Sequence, residues 1–333
     1  MQALKAFGNG KIQLIEEPTP TLSAGEVLIK PLAVGICGTD LDIVDSKIDP
    51  AFVNYPITLG HEWCGVVIES SADVTSIAIG DRVVAQGIIP CTTCRECTTG
   101  NTNRCEIYDE YGFTRAGAGS SAIVAEERLV HKILPSVSNE SAALVEPAAV
   151  VMTGLFKANP KSGVKVLIIG DGTIGLITAT FVRSWSPGQI DLVGLRKEQA
   201  QLVKLAGVDN FLQASNINNE KYDLVIEASG SKSGAEMALK KIARGGKLLF
   251  LGFIGYEASI PFIVDDIVNG DFSIYGSFGY TSVAWTKTVS LLNSGELDLT
   301  FIVTHRFALT DWQSGFDALV NGPAPRGKIL LLP

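Results

Sequence analysis

Basic residues are in deficit. Twenty-seven Lys and Arg stand against 35 Asp and Glu, a net charge of −8. No positive excess is available to displace counterions from phosphates, which excludes general nucleic-acid affinity. Long, clean apolar runs are also missing, so no membrane-spanning segment is expected. The first residues, MQALKAFGNGK, lack an apolar h-region and a cleavage site, and a reducing cytosol is the expected compartment. Low-complexity segments and short-period repeats are absent. What remains is 46% hydrophobic with 34 glycines, the composition of a well-packed globular protein rich in turns. At 333 residues the chain is long for one core, and two domains are expected.

Cysteine is sparse, but four of the six fall close together: Cys91, Cys94, Cys97 and Cys105, spaced C-x2-C-x2-C-x7-C. A short loop of this kind can close four thiolates around one tetrahedral Zn²⁺. Disulfides are the competing reading, and cysteines three apart in a tight loop pair poorly. A site with four sulfur ligands has no open position, so its expected role is structural.

The first half reads as short strands between Gly/Pro turns, such as 27–34, 64–69 and 82–85, and predicts a β-rich, barrel-like domain. Near residue 150 the texture changes. Lys165-Val166-Leu167-Ile168-Ile169 is a continuous apolar run suited to a parallel strand buried on both faces. A helix over about 173–185 follows, then strand 190–193, helix 198–206 and strands 222–228, 247–252 and 272–275. This alternation predicts a doubly wound α/β domain. After about residue 281 the pattern predicts one more helix and a closing strand, 327–332.

Directly after the buried strand stands Gly170-Asp171-Gly172-Thr173-Ile174-Gly175. Between a strand and a helix this G-x-G-x-x-G predicts dinucleotide binding, with the pyrophosphate on the helix N-terminus. An NAD site normally carries an acidic residue about 20 positions on. Here that count reaches Gly194, and Arg196 stands two residues later. Loss of the carboxylate makes room for a 2′-phosphate, which Arg196 can pair bidentately, so NADP(H) is the expected cofactor. The alternative is that Arg196 and Lys197 are solvated residues at a helix start. Ser229, Gly252, Ser277 and Phe278 complete the candidate cofactor-binding set.

Cys37 lies outside the cysteine cluster, in Gly35-Ile36-Cys37-Gly38-Thr39-Asp40, and Gly60-His61-Glu62 follows. Cys, His and a carboxylate can hold zinc while leaving a position for water or substrate. Taken singly, a buried core thiol is the commoner fate of a residue such as Cys37, and a satisfied loop histidine that of His61. With Gly80-Asp81-Arg82-Val83, the four-cysteine lobe, Glu146-Pro147, Gly170 to Gly175 and Gly327-Lys328, these segments appear in register along nearly the whole chain. The chain thereby resembles the zinc-dependent medium-chain dehydrogenases of the alcohol/polyol dehydrogenase superfamily, most closely the sorbitol, sugar-alcohol and threonine dehydrogenase branches.

The resemblance implies a GroES-like catalytic domain (1–148, with the zinc lobe at about 88–108), a Rossmann domain (149–282) and a C-terminal segment (283–333) returning to the catalytic domain. It implies an active site in the cleft between the domains and two zinc ions per chain. Cys37 and His61 would bind the catalytic zinc, with Glu62 as third ligand and Glu146 as an alternative or exchanging one. Thr39 would take the substrate's hydroxyl proton; otherwise it is a turn residue satisfying local backbone. The implied reaction moves a hydride between NADP(H) and a secondary alcohol or polyol and its ketone, with zinc as Lewis acid. Homodimers or homotetramers are implied, with a small-molecule substrate and neither nucleic acid nor membrane as partner.

Three positions depart from the family pattern. Asp42 replaces a relay histidine, Ala118-Gly119-Ser120-Ser121-Ala122 replaces an active-site-entrance motif, and Gly279 stands where sorbitol dehydrogenases often place an arginine. These weaken any assignment to sorbitol itself. Asp42, Tyr55, Trp63, Ser120, Ser121 and Tyr280 are candidates to line the cleft. Two other functions fit less of the pattern. A zinc-free quinone or enone reductase would not need the metal constellations, and a non-catalytic nucleotide sensor would not need the ligands of a catalytic zinc.

Overall fold

The computed structural model describes residues 1–333 except 218, 256 and 257. The chain divides into two compact units. One comprises Met1–Glu146, Thr281–Gly322 and Lys328–Pro333, the other Pro147–Tyr280 and Pro323–Gly327. Among the described residues no helix is long and apolar enough to cross a membrane.

The first unit begins with β1 (Gln2–Gly8), β2 (Lys11–Glu16), β3 (Glu26–Ile36), β4 (Ile57–Thr58), β5 (Glu62–Ser70), β6 (Arg82–Ala85), β7 (Ile123–Glu126) and β8 (Val130–Lys132). β2, β1 and β4 form a small sheet. β3 is the hub of the larger one, antiparallel to both β5 and β7. Val27, Ile29, Val34, Ile36, Val67, Val83, Ile123 and Ala125 project into one apolar cluster. The β-branched runs thus form strands because one face of each is removed from water.

The second unit is a six-stranded sheet of β9 (Lys165–Ile169), β10 (Gln189–Gly194), β11 (Asn210–Gln213), β12 (Tyr222–Glu227), β13 (Ile242–Phe250) and β14 (Ser273–Gly276). Its order is β11-β10-β9-β12-β13-β14, with every pairing parallel. Val166, Leu167, Ile168 and Ile169 of β9 are all buried, as a central strand covered on both faces requires. Strand order reverses beside β9, and ligands of doubly wound sheets bind at such a switch point.

The tail holds more structure than expected. Besides the helix Ser282–Asn293 it contains β15 (Val303–Ala308), the helix Trp312–Asn321 and β16 (Lys328–Leu332). β15 is an edge strand lying parallel to β16, and its residues are mostly half-buried or exposed. Thr304, His305 and Arg306 therefore break the apolar pattern by which a strand is read. Residues 323–327 group with the second unit, whereas the sequence assigns all of 283–333 to the first. Buried Gln199 explains this: its amide donates to Arg326 O at 2.8 Å and accepts from Arg326 N at 2.7 Å.

Candidate metal centres and dinucleotide site

Three strand ends converge in the first unit. Antiparallel register sets Gly35 of β3 against Glu62 of β5, and Ile36 against Ile329 of β16. Cys37, which follows β3, is thereby carried to His61, which precedes β5, and to Lys328, which opens β16. One donor atom from each of Cys37, His61 and Glu62 lies within 4.8 Å of the other two. Gly35 permits this packing, because a Cβ there would stand 2.3 Å from Glu62 Oε2.

The surroundings favour a cation. Asp40 Oδ1 lies 3.5 Å from His61 Nδ1, and both side chains are buried. Such a carboxylate fixes the ring's orientation and leaves the other nitrogen for a metal. Burial opposes a charge on His61, but Asp40 and Cys37 outweigh it and raise its pKa well above the usual range. Glu146, in the first turn of the helix Val145–Ala158, is pushed up to about 8 by burial and by Glu62 and Glu110, against the pull of His61. Burial likewise lifts Glu110 to about 7. Buried acids this crowded resist ionising together unless positive charge is supplied. Lys328 supplies some of it, with Nζ 2.5 Å from Glu62 Oε2. A thiolate, an imidazole and a carboxylate in this field fit a bound zinc ion.

Thr39 Oγ1 lies 3.5 Å from Cys37 Sγ and is half-buried. A Cβ on adjacent Gly38 would meet nothing within 4 Å outside its chain neighbours and its own helix backbone. Asp42 is exposed. Three cleft-lining candidates are corrected. Trp63 and Tyr280 are core residues, 3% and 1% exposed. Ser120 is buried and donates to Ala122 O at 2.8 Å, a local structural bond. The sequence reading missed Asp40, whose Oδ2 accepts Cys37 N at 2.8 Å, and Glu110. Asp40 was legible as the acid three residues after Cys37; Glu110 carries no local signal.

In the lobe, the sulfurs of Cys91, Cys94, Cys97 and Cys105 lie within 4.8 Å of one another. All are free thiols, and Cys91 and Cys97 are 4.0 Å apart, about twice a disulfide bond. N–H groups of Cys94 and Thr93 hold Cys91 down to about 6, while burial and neighbouring sulfurs push Cys97 up to about 12. Four converging sulfurs that cannot all ionise unaided fit a tetrahedral zinc.

In the second unit the glycine loop joins β9 to the helix Thr173–Val182. Gly170 has φ +122°, and a Cβ there would lie 2.8 Å from the backbone at Ala228 and Ser229. A Cβ on Gly175 would lie 1.9 Å from Gly170 O, so the helix packs directly on the loop. Gly172 differs: nothing stands within 4 Å of its Cβ position, and it caps the helix without a side-chain bond. That open helix N-terminus fits a pyrophosphate. Gly194 ends β10, and Arg196 Nη2 donates to Asp171 Oδ1 at 2.6 Å. Ser229 N donates to Glu227 Oε1 at 2.8 Å, and Gly252 packs on Gly230. Buried Ser277 Oγ has no partner among the described residues, and Phe278 is exposed.

Residues 23–136 match the alcohol dehydrogenase GroES-like domain family, and residues 173–294 the zinc-binding dehydrogenase family. An L-threonine 3-dehydrogenase of Shewanella putrefaciens is 30% identical over 345 residues, covering 99% of each chain. The chain belongs to the zinc-type medium-chain dehydrogenase/reductase superfamily. A sorbitol dehydrogenase of Halalkalibacterium halodurans is 28% identical, over 98% of this chain and 97% of its own. Galactitol-1-phosphate dehydrogenase from Escherichia coli superposes with a TM-score of 0.89 at 25% identity, over 100% of both chains. As a member of this superfamily, the protein is an NAD(P)-dependent oxidoreductase with a GroES-like unit and a Rossmann-type parallel sheet.

Proposed function

We propose that the protein is a zinc-dependent, NADP(H)-preferring dehydrogenase that interconverts a secondary alcohol or polyol and its ketone. The observation that carries this reading is the convergence of Cys37, His61 and Glu62 at the ends of β3 and β5, beside Asp40 and the Lys328 that opens β16. Sorbitol and threonine dehydrogenases among the relatives support a hydroxyl-bearing carbon as the reacting centre.

Cys37, His61 and Glu62 would hold the catalytic ion, with Glu146 as the alternative or exchanging ligand. The ion would supply Lewis acidity toward the substrate oxygen. Asp40 orients His61, and Lys328 orients Glu62. Thr39 Oγ1 receives the hydroxyl proton and passes it outward. The nicotinamide supplies the hydride chemistry when bound. Gly170, Gly172 and Gly175 admit its pyrophosphate to the helix N-terminus, and Ser277 offers a hydroxyl in need of a partner. Cys91, Cys94, Cys97 and Cys105 would enclose a second, structural zinc. The guanidinium of Arg196 in place of an acid at the end of β10 supports NADP(H).

Metal analysis with kinetics tests the reading. Two zinc ions per chain are expected, and Cys37→Ser should keep one and lose turnover while the fold persists. Full turnover of Cys37→Ser would overturn the catalytic assignment. A screen of polyols, sugar alcohols, short secondary alcohols and threonine with NADP⁺ would identify the substrate class.

A further inference from the structure

The end of β10 holds more than Arg196. Asp171, between the first two glycines of the loop, is buried and turns its carboxylate over this strand end. Its Oδ2 accepts the N–H groups of Leu195 and Arg196, each at 3.1 Å, and its Oδ1 accepts Arg196 Nη2 at 2.6 Å. Gly194 makes the approach possible, since a Cβ there would lie 2.6 Å from Asp171 Oδ2 and 2.8 Å from the Phe211 ring.

A second arginine is built into the same place. Fully buried Gln199 donates to Asp171 O and to Arg326 O, both at 2.8 Å, and accepts from Arg326 N at 2.7 Å. Arg326 is thereby pinned through its own backbone to the glycine loop and to the turn after β10. Burial, repulsion by Arg196 and attraction by Asp171 act on its guanidinium, and the first two prevail. Both arginine side chains remain partly exposed. Two guanidiniums against one carboxylate leave a surplus positive charge, held by backbone bonds that do not depend on the side chains' own pairing. Such a cluster is stabilised by an added anion.

This inference rests on the NADP(H) reading above. We propose that Arg326 joins Arg196 as a second arm of the 2′-phosphate site, and that Asp171 is the internal counter-ion that holds Arg196 in position until the phosphate replaces it. Asp171 keeps its bonds to the Leu195 and Arg196 amides throughout, so the loop stays formed while one guanidinium changes partner. Arg326 is a specificity-determining residue with no part in hydride transfer.

Calorimetric titration of the full-length protein with 2′,5′-ADP and with 5′-AMP tests this, because the two probes differ only in the 2′-phosphate. Wild type should bind 2′,5′-ADP more tightly. Arg326→Ala, which retains both backbone bonds to Gln199, should weaken 2′,5′-ADP about tenfold or more and leave 5′-AMP within about twofold. Arg326→Lys should recover part of the loss. If wild type shows no preference for 2′,5′-ADP, the NADP(H) reading itself fails. If the preference is present, disappears in Arg196→Ala and is untouched in Arg326→Ala, the NADP(H) reading stands and the role of Arg326 is overturned. An equal loss of both probes in Arg326→Ala and Arg326→Gln would mark a structural role and also overturn it.

Discussion

Lys328 Nζ lies 2.5 Å from Glu62 Oε2, and the two side chains are 4% and 2% exposed. Burial opposes the lysine's charge, yet Glu62 and Cys37 raise its pKa and hold it cationic. Lys328 also donates to Ile36 O at 3.2 Å, at the end of the strand that leads to Cys37. A candidate zinc ligand is thus braced by a residue from the last strand of the chain.

Removing one partner of a buried pair strands the other charge, which costs about 3–5 kcal/mol. Lys328→Met should therefore destabilise the zinc-depleted protein by about that amount in urea denaturation. The double variant Lys328→Met/Glu62→Gln should recover a large part of the loss. Additive costs in the double variant would show that the pair is not energetically coupled.

The glycine loop predicts opposite behaviour at two glycines. Gly175→Ala drives a Cβ to 1.9 Å from Gly170 O, a backbone atom that cannot turn aside. It should cost about 3 kcal/mol or more and lower Tm accordingly. Gly172 has φ −87° and open space at its Cβ position. Gly172→Ala should keep stability within about 0.5 kcal/mol of wild type. It should nevertheless weaken NADP⁺ binding at least about tenfold, because the added methyl occupies the pyrophosphate's approach. Calorimetry and thermal melts on the two variants separate these effects.

Cys105→Ser should lower zinc content by one ion per chain and leave the second ion in place. The four sulfurs lie within 4.8 Å of one another, and a structural ion held by all four ties the lobe together, so the variant should also melt at a lower temperature. Retention of two ions per chain would refute a structural zinc at these four sulfurs.

Cys64 links stability to alkaline pH. Its thiol donates to Asn139 O at 3.1 Å, and burial pushes its pKa from 9.0 to about 12. The unfolded chain releases this proton above pH 9, whereas the folded chain retains it to about 12. Stability from this group is therefore whole below pH 9 and declines as pH rises toward 12. The slope is at most about 1.4 kcal/mol per pH unit. Urea denaturation at pH 8 and pH 10 should show a steeper loss in wild type than in Cys64→Ala, whose other titrating groups are the same.

Features carried by adjacent residues were legible in the sequence. The apolar run 165–169 and the glycines at 170, 172 and 175 specify a buried parallel strand and a tight loop through local backbone and burial requirements. The spacing of Cys91, Cys94, Cys97 and Cys105 likewise brings four sulfurs into one short loop. The tail is less legible, because β15 is an edge strand and its half-exposed face accepts polar residues that hide its pattern. Tertiary structure alone decided what surrounds the candidate zinc ligands and what reaches the end of β10. Lys328 meets Glu62, Glu110 joins the acids around His61, and Arg326 reaches the end of β10 through Gln199. Each of these contacts joins residues far apart in the chain. The first arises from the register of β3 with β5 and β16, and the last from one buried amide, neither of which is encoded in any local spacing.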